Sequence, residues 1–319
     1  TYDGAISVIP AKVINQYNAV SLAPVLNTTS GVFMQNGTLN TNKITIRGIG
    51  SRTVFGTSKI RAYYQDIPLT NGSGESTVED IEIKALGSME ISKGPSSSRY
   101  GAGLGGTIQL IPDRGSFGDK SLQGGLLFGS FGLQKYWLQT SLGNQNNSAN
   151  LLYSDTHSDG YRQNNEFNRK VLTFGSQHKI GENNTISLIG NYIDQKAYIP
   201  SSVDEDTYKN NPEAAARNWA EAAGYEDYQK GLFGLSWEYA YSEKSSHYIS
   251  LFGSFLDSYE PRPFNILDEK TKAYGVRARF ASKAKIANKA LLWTLGGELF
   301  SDQNSYQTYQ NLYRNNPSG

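Results

Sequence analysis

Three sets of residues in this sequence have side chains and spacings that chemistry uses. Gly101, Gly103 and Gly106 satisfy G-x-G-x-x-G, the spacing of a dinucleotide cradle. Such a cradle needs a strand before it, a helix after it and an acid about 20 residues on. Here the β-type run Thr107-Ile108-Gln109-Leu110-Ile111 follows instead. The glycines therefore read as backbone devices, placed where the main chain takes φ > 0 or where a neighbour comes very close. His157, His178 and His247 are scattered without metal-ligand spacing and read as surface or lumen side chains. Asp204, Glu205 and Asp206 are clustered but lack the glycine-turned ligand order of a calcium loop, and read as a solvated loop. No Ser/His/Asp set or carboxylate pair stands out, and there is no cysteine to supply a nucleophile, a thiolate ligand or a disulfide. On these residues we expect no enzyme, no metal site and no cofactor.

The elements that carry these residues fall into two styles. Residues 1–118 mix short strands with short helices. Lys43 to Arg47 alternates and stops at Gly48; Ser21 stands as a helix cap before Pro24 in a first turn; residues 78–86 suit another short helix. Residues 88–111 are the joint: strand, breaker cluster at Gly94-Pro95-Ser96-Ser97, glycine run, strand. The glycine run is expected to let this first domain pack close to whatever follows.

Residues 119–319 show period-2 alternation in nine runs, near 121–130, 134–143, 148–155, 169–180, 184–194, 229–240, 246–257, 272–283 and 289–302. Phe233, Leu235, Trp237 and Tyr239 line one face of their run; Tyr274, Val276, Ala278 and Phe280 oppose Arg277 and Arg279. Apolar faces set against Arg and Glu faces suit a barrel with lipid outside and a polar lumen. Tyr and Trp near strand ends suit its interfaces. Short polar connections alternate with long ones at 156–168, 195–228 and 258–271, with the first connection, Phe131 to Leu133, as the exception, being short on the long side. The longest is expected to hold a helix with Asn211 as cap, Pro212 at its first position and Gly224 just past its end.

Composition agrees. Lys+Arg number 30 against 29 Asp+Glu, which gives no reason to expect nucleic acid. Mean hydropathy is −0.50, and no apolar run reaches the ~18 residues of a membrane helix, but a barrel is apolar on one face only. Nine strands is an odd number, and residues 303–319 read as a loop. We therefore expect a partial chain, with nine strands of a barrel of about 22.

The order of motifs in residues 1–118 resembles the plug domain of TonB-dependent outer-membrane receptors. Ile44-Thr45-Ile46-Arg47-Gly48 matches I-x-I-R-G, Ile67-Pro68-Leu69 the end of D-G-x-P-L, and Met89 to Pro95 matches I-E-V-x-R-G-P with Lys93 for Arg. Tyr100-Gly101 and Gly105-Gly106-Thr107-Ile108 match Y-G … G-G-x-I, and Leu22 to Val32 resembles L-x-x-x-L … P-G-V with Ser30 for Pro. The resemblance implies an α+β plug domain (1–118) inside a transmembrane antiparallel β-barrel (119–319 being its first part). It also implies a Gram-negative outer membrane, a bilayer around the barrel and the TonB energy-transducing complex as partner. The implied activity is active import of a scarce, bulky nutrient, with a ferric siderophore as first expectation and haem, cobalamin or glycans as alternatives. A passive porin or adhesive barrel is the rival of another class, and a soluble all-β binding module a further one.

The resemblance also implies two groups of site residues. Arg47 and Lys93 would lock the plug by pairing with barrel glutamates, for which Glu238 and Glu298 are the candidates present. The ligand would sit where plug and barrel loops converge outside. That places Arg52, Phe55 and Asn71 on the plug side, and Tyr161, Arg162, Trp219, Tyr225, Tyr228 and Tyr259 on the barrel side, a set suited to an anionic or planar chelate.

Overall fold

The computed structural model describes residues 5–17, 20–39, 42–53, 56–95, 100–101, 103–286, 289–313 and 317–318. The N-terminal domain contains β1 (Ala5–Pro10), β2 (Val32–Asn36), β3 (Asn42–Ile46), β4 (Thr57–Ser58), β5 (Ile60–Tyr64), β6 (Ile67–Pro68), β7 (Glu75–Ser76), β8 (Leu86–Lys93) and β9 (Gly106–Pro112). Its main sheet runs β1-β8-β9-β5-β6, with β5 and β9 parallel. β2 and β3 form a separate hairpin, and β4 pairs with β7. Two one-turn helices, α1 (Ala11–Ile14) and α2 (Ala23–Leu26), cover it. The cap position of α2 falls on Leu22 and not on Ser21, which stands one residue earlier and accepts from Ala23 N through its Oγ at 3.2 Å. Two 3₁₀ turns, Val78–Asp80 and Ile83–Ala85, stand where one short helix is expected.

The glycine run works differently from its expectation. Gly106 has φ +137°, and a Cβ there would lie 2.1 Å from Ser92 O; one on Gly103 would lie 2.8 Å from Gly106 O. A Cβ on Gly105 would press on Ile60 and Ile49. All these neighbours belong to the N-terminal domain. The run lets β8, β9 and β5 close on one another; it does not seat the domain on the wall.

The second body is a single antiparallel wall in sequence order: β10 (Lys120–Phe128), β11 (Gln134–Gly143), β12 (Asn147–Ser158), β13 (Phe167–Ile180), β14 (Asn184–Tyr198), β15 (Tyr225–Ser242), β16 (Ser245–Arg262), β17 (Asn265–Ile286) and β18 (Lys289–Asn311). The nine strands match the nine runs. Pro317–Ser318 adds a two-residue strand on β18, and among the described residues β10 does not pair with β18. The outer face carries exposed Leu126, Leu138, Phe233, Leu251, Tyr274 and Leu299. The inner face buries polar Gln139, Asn150, Ser154, Asn191, Ser250 and Arg277. That inversion is the one a lipid-facing barrel requires. Near the short turns, Trp237, Tyr239, Tyr241, His247, Phe280 and Trp293 form a chain of ring contacts, as expected of an interfacial belt.

Strands run further than their apolar faces. The loop expected at 258–271 is instead a hairpin turning at residues 263–264, and β18 extends to Asn311 through residues expected as loop. Polar cross-strand pairs continue the ladder past the lipid-type band: Lys270 meets Asp257 at 2.9 Å, and Asn304 donates to Glu269 at 2.7 Å. The helix expected from Asn211 is also corrected. Two helices form, Glu205–Asn210 and Arg217–Ala222, with Asn211 at the C-terminal end of the first. Asp204 caps that first helix by accepting from Thr207 N at 2.8 Å, which accounts for the acidic cluster at a helix N-terminus.

Candidate functional site

The N-terminal domain sits on the concave, polar face of the wall, and one hydrophobic core spans both. Ile67, Ile81 and Leu110 share a cluster with Ile189, Leu232 and Phe252 of the wall. Gly234 makes this possible, because a Cβ there would lie 2.4 Å from Ile67 Cδ1.

Around this core the domain presents carboxylates and the wall presents cations. Glu82 Oε1 accepts from Lys135 Nζ at 2.7 Å, with both side chains almost wholly buried, and Glu82 Oε2 accepts from Ser154 Oγ at 2.9 Å. Burial alone would raise the Glu82 carboxyl; Lys135, then Arg169, outweigh it and hold it below the usual carboxylate range. Asp80 pairs with Lys230, accepts from Tyr228 Oη at 2.9 Å, and its backbone carbonyl accepts from Asn191 Nδ2 at 3.2 Å. Against burial, Lys230 holds Asp80 low too. Nearer the short-turn end, Asp66 meets Arg279 at 2.8 Å and Arg277 at 3.9 Å. Arg277 also lies 4.5 Å from the Tyr63 ring centre, so one wall cation holds both charge and aromatic surface of the domain. Asp113 accepts from Gln139 at 3.1 Å and from Asn150 at 3.2 Å, and Arg114 donates to Ser187 at 3.1 Å.

Beside Asp80, Glu79 behaves in the opposite way. Its Oε2 is buried without a hydrogen-bond partner, and burial, then the Asp80 charge, push its carboxyl up to about 8. Glu79 borders a cavity of about 290 Å³ between the β2–β3 hairpin and β11–β13.

Among the described residues, neither Arg47 nor Lys93 pairs with Glu238 or Glu298. Arg47 is exposed, and its backbone N donates to Gly31 O at 2.7 Å. Lys93 Nζ donates to Ser30 O at 2.8 Å. The Lys93 ammonium and the Arg47 main chain thus meet at the turn at 30–31. Glu298, their expected partner, pairs with Arg277 at 3.4 Å. Glu238 is exposed and makes no ion pair among the described residues. The grip that is present has the reverse polarity, with acids on the domain and bases on the wall.

The expected ligand residues fall into three groups. Arg52, Asn71 and Tyr161 are exposed, Tyr259 is half-exposed, and Phe55 lies outside the described residues. Asn71 shapes its own loop, where Oδ1 accepts from Glu75 N at 3.0 Å; the neighbouring Gly72 N donates to Asp302 of β18 at 2.8 Å. Arg162, Trp219 and Tyr225 belong to a lobe at the long-loop end. Arg162 donates to backbone carbonyls, Trp219 packs over Gly224, and buried Tyr225 meets the Tyr198 ring at a tilt, 5.4 Å between centres, under Lys196. Tyr228 is buried, and its hydroxyl belongs to the Asp80 grip rather than to a ligand surface.

Residues 1–107 match the family model described as TonB-dependent Receptor Plug Domain. Among solved structures, the chain is similar to the ferric citrate transporter FecA in unliganded form: 18% identity and TM-score 0.83 over 100% of this chain and 50% of that one. It is similar to FpvA of P. aeruginosa bound to heterologous pyoverdines: 14% identity and TM-score 0.78 over 98% of this chain and 44% of that one. It is also similar to BauA, the ferric preacinetobactin receptor of Acinetobacter baumannii: 13% identity and TM-score 0.77 over 99% and 51%. The chain spans about half the length of these structures, and at these identities the likeness is one of fold.

Proposed function

We propose that this chain, whose residues 1–107 match the plug-domain model and whose fold is similar to that of FecA, is the plug and partial barrel of a TonB-dependent receptor and serves active import of a ferric siderophore across the outer membrane of a Gram-negative bacterium. In this reading residues 1–118 are the plug and 119–319 the first part of the barrel, and the chain is a transporter component with no catalytic role. One observation carries the proposal. The N-terminal domain fills the lumen side of a lipid-type wall and is held there by buried ion pairs, Glu82 to Lys135 and Asp66 to Arg279. A passive pore has no use for a lumen closed in this way. A gated one needs contacts that hold at rest and yield to force, which the TonB complex would supply. The similar structures are a ferric citrate transporter, a pyoverdine-bound protein and a ferric preacinetobactin receptor, which favours an iron chelate as cargo.

Exposed Arg52, Asn71 and Tyr161 form the ligand-facing set in this reading, while half-exposed Tyr259 shares the outer face of β16 with Leu251. The test is growth of a deletion strain under iron limitation on ferric citrate, a ferric pyoverdine and a ferric catecholate. Loss of growth on one chelate, restored by the intact gene, is expected. Wild-type growth on all of them, or uptake that persists after the proton gradient is collapsed, would overturn the proposal.

A further inference from the structure

The two long-loop segments 159–166 and 199–224 are joined by an unusually complete set of bonds. Arg162 donates from Nε and Nη2 to Ala214 O at 2.9 and 2.7 Å, and from Nη1 to Ser201 O at 2.6 Å. Asn164 Nδ2 donates to Ile199 O and to Gly224 O, both at 2.9 Å, and so ties together the two ends of the longer loop. Between them Gln163 N donates to Glu213 O at 2.7 Å. Three consecutive residues of the shorter loop thus hold the longer one at its start, middle and end. The longer loop closes on itself as well, through Ile199 N to Gly224 O at 3.0 Å and Ala216 N to Pro200 O at 2.8 Å.

Backbone conformation agrees. Asn164, Ser201 and Ala223 take φ of 53°, 56° and 46°, the left-handed region that non-glycine residues enter at a cost and keep only where surroundings impose it. Each of the three lies at or beside one of these bonds. The lobe is also seated on β16, where Gly224 leaves room for the Trp219 ring and the Pro261 carbonyl.

We infer that Arg162 and Asn164 are positioning residues that make loop 199–224 a fixed wall of the ligand mouth, moving with its neighbouring hairpin and not closing over cargo as a lid. The inference rests on the import reading for its meaning but not for its first test. That test is hydrogen exchange on the purified receptor without ligand. Amides of 199–224 are expected to be protected to a degree comparable with the ends of β14 and β15. Arg162→Gln should speed their exchange by tenfold or more while the wall strands stay unchanged, and Arg162→Lys should fall between. Free exchange of this loop in the wild-type receptor overturns the inference.

The second test uses the lack of cysteine in the sequence. Gln163→Cys with Glu213→Cys joins the two loops by a disulfide at their shared backbone bond. For a fixed wall, uptake of iron-55 supplied as ferric citrate, ferric pyoverdine or a ferric catecholate is the same oxidised and reduced. Uptake lost on oxidation and regained with reductant identifies a lid and overturns the inference. If none of the three is taken up, the import reading is what fails, and hydrogen exchange alone decides the wall.

Discussion

Two flanks of the plug carry charge, and they use it in opposite ways. On the flank against the nine strands, Asp66, Asp80, Glu82 and Asp113 are each engaged by a wall cation or amide, and the first three are buried. On the other flank, Arg47 is exposed and Lys93 donates to a plug carbonyl, Ser30 O, and neither forms an ion pair among the described residues. The difference lies in burial. A carboxylate closed off from water must have a cation or it protonates, whereas an exposed cation needs nothing. The covered flank is therefore where single substitutions should be felt.

The largest effect is expected at Asp66. Asp66→Asn leaves Arg279 and Arg277 facing each other with one fewer counter-charge, though Arg277 keeps Glu298. Leaving buried charge unpaired costs about 3 kcal/mol, so the plug transition in calorimetry of the detergent-solubilised receptor should fall by that order. A shift below about 1 kcal/mol would mean the lower contact is solvated and the two flanks are alike. Next comes the Glu82–Lys135 pair. Glu82→Gln and Lys135→Met should each cost about 2–3 kcal/mol, while the double variant should cost clearly less than their sum. Additive losses would show that the two side chains do not depend on one another.

How far this was legible in the sequence follows from the same physics. Alternation along β15 and β17 puts Phe233 and Tyr274 outside and Arg277 and Arg279 inside, because a pleat turns successive side chains to opposite faces. The wall and its inner cations could be read from period alone. The acids that meet them could not. Asp80 ends one short 3₁₀ turn and Glu82 caps the next, with no helical or strand period, and nothing in Val78-Glu79-Asp80-Ile81-Glu82 says which acid is buried. Its one signal is two acids between fully buried Val78 and Ile81. Arg162 shows the limit at the mouth. Its type suits an anion, and only the fold reveals that its N–H groups meet carbonyls of Ala214 and Ser201.

Within the covered flank, Glu79 offers a pH-dependent test. Its carboxyl titrates near 8 in the plug, above its ordinary range near 4.5 in the unfolded chain. The folded plug thus binds a proton that the unfolded chain has released, and stability declines as pH rises between these values. Glu79→Gln removes that slope. The variant should match wild type near pH 4.5 and exceed it by about 1 kcal/mol or more at pH 8, where one pKa unit is worth about 1.4 kcal/mol. An advantage that grows toward acid pH would place the proton elsewhere, on Asp80 or Glu82.

The smallest effect is expected on the open flank, and it bears hardest on the comparison. Ile46 and Ile49 exchange backbone bonds at 3.1 and 3.0 Å around Arg47 and Gly48, both with positive φ, 51° and 79°. This is the conformation a two-residue type I′ hairpin turn demands, and asparagine suits its first central position better than arginine does. The conformation gives Arg47 a turn-forming role that needs no guanidinium. Arg47→Asn keeps the turn and removes the charge, so plug stability should hold or rise by about 0.5 kcal/mol. Leakage of large antibiotics through the receptor in cells should stay at the wild-type level. Leakage that rises with the plug's transition unchanged would show Arg47 gripping a carboxylate outside the contacts described, and both flanks of the plug would then be ion-locked.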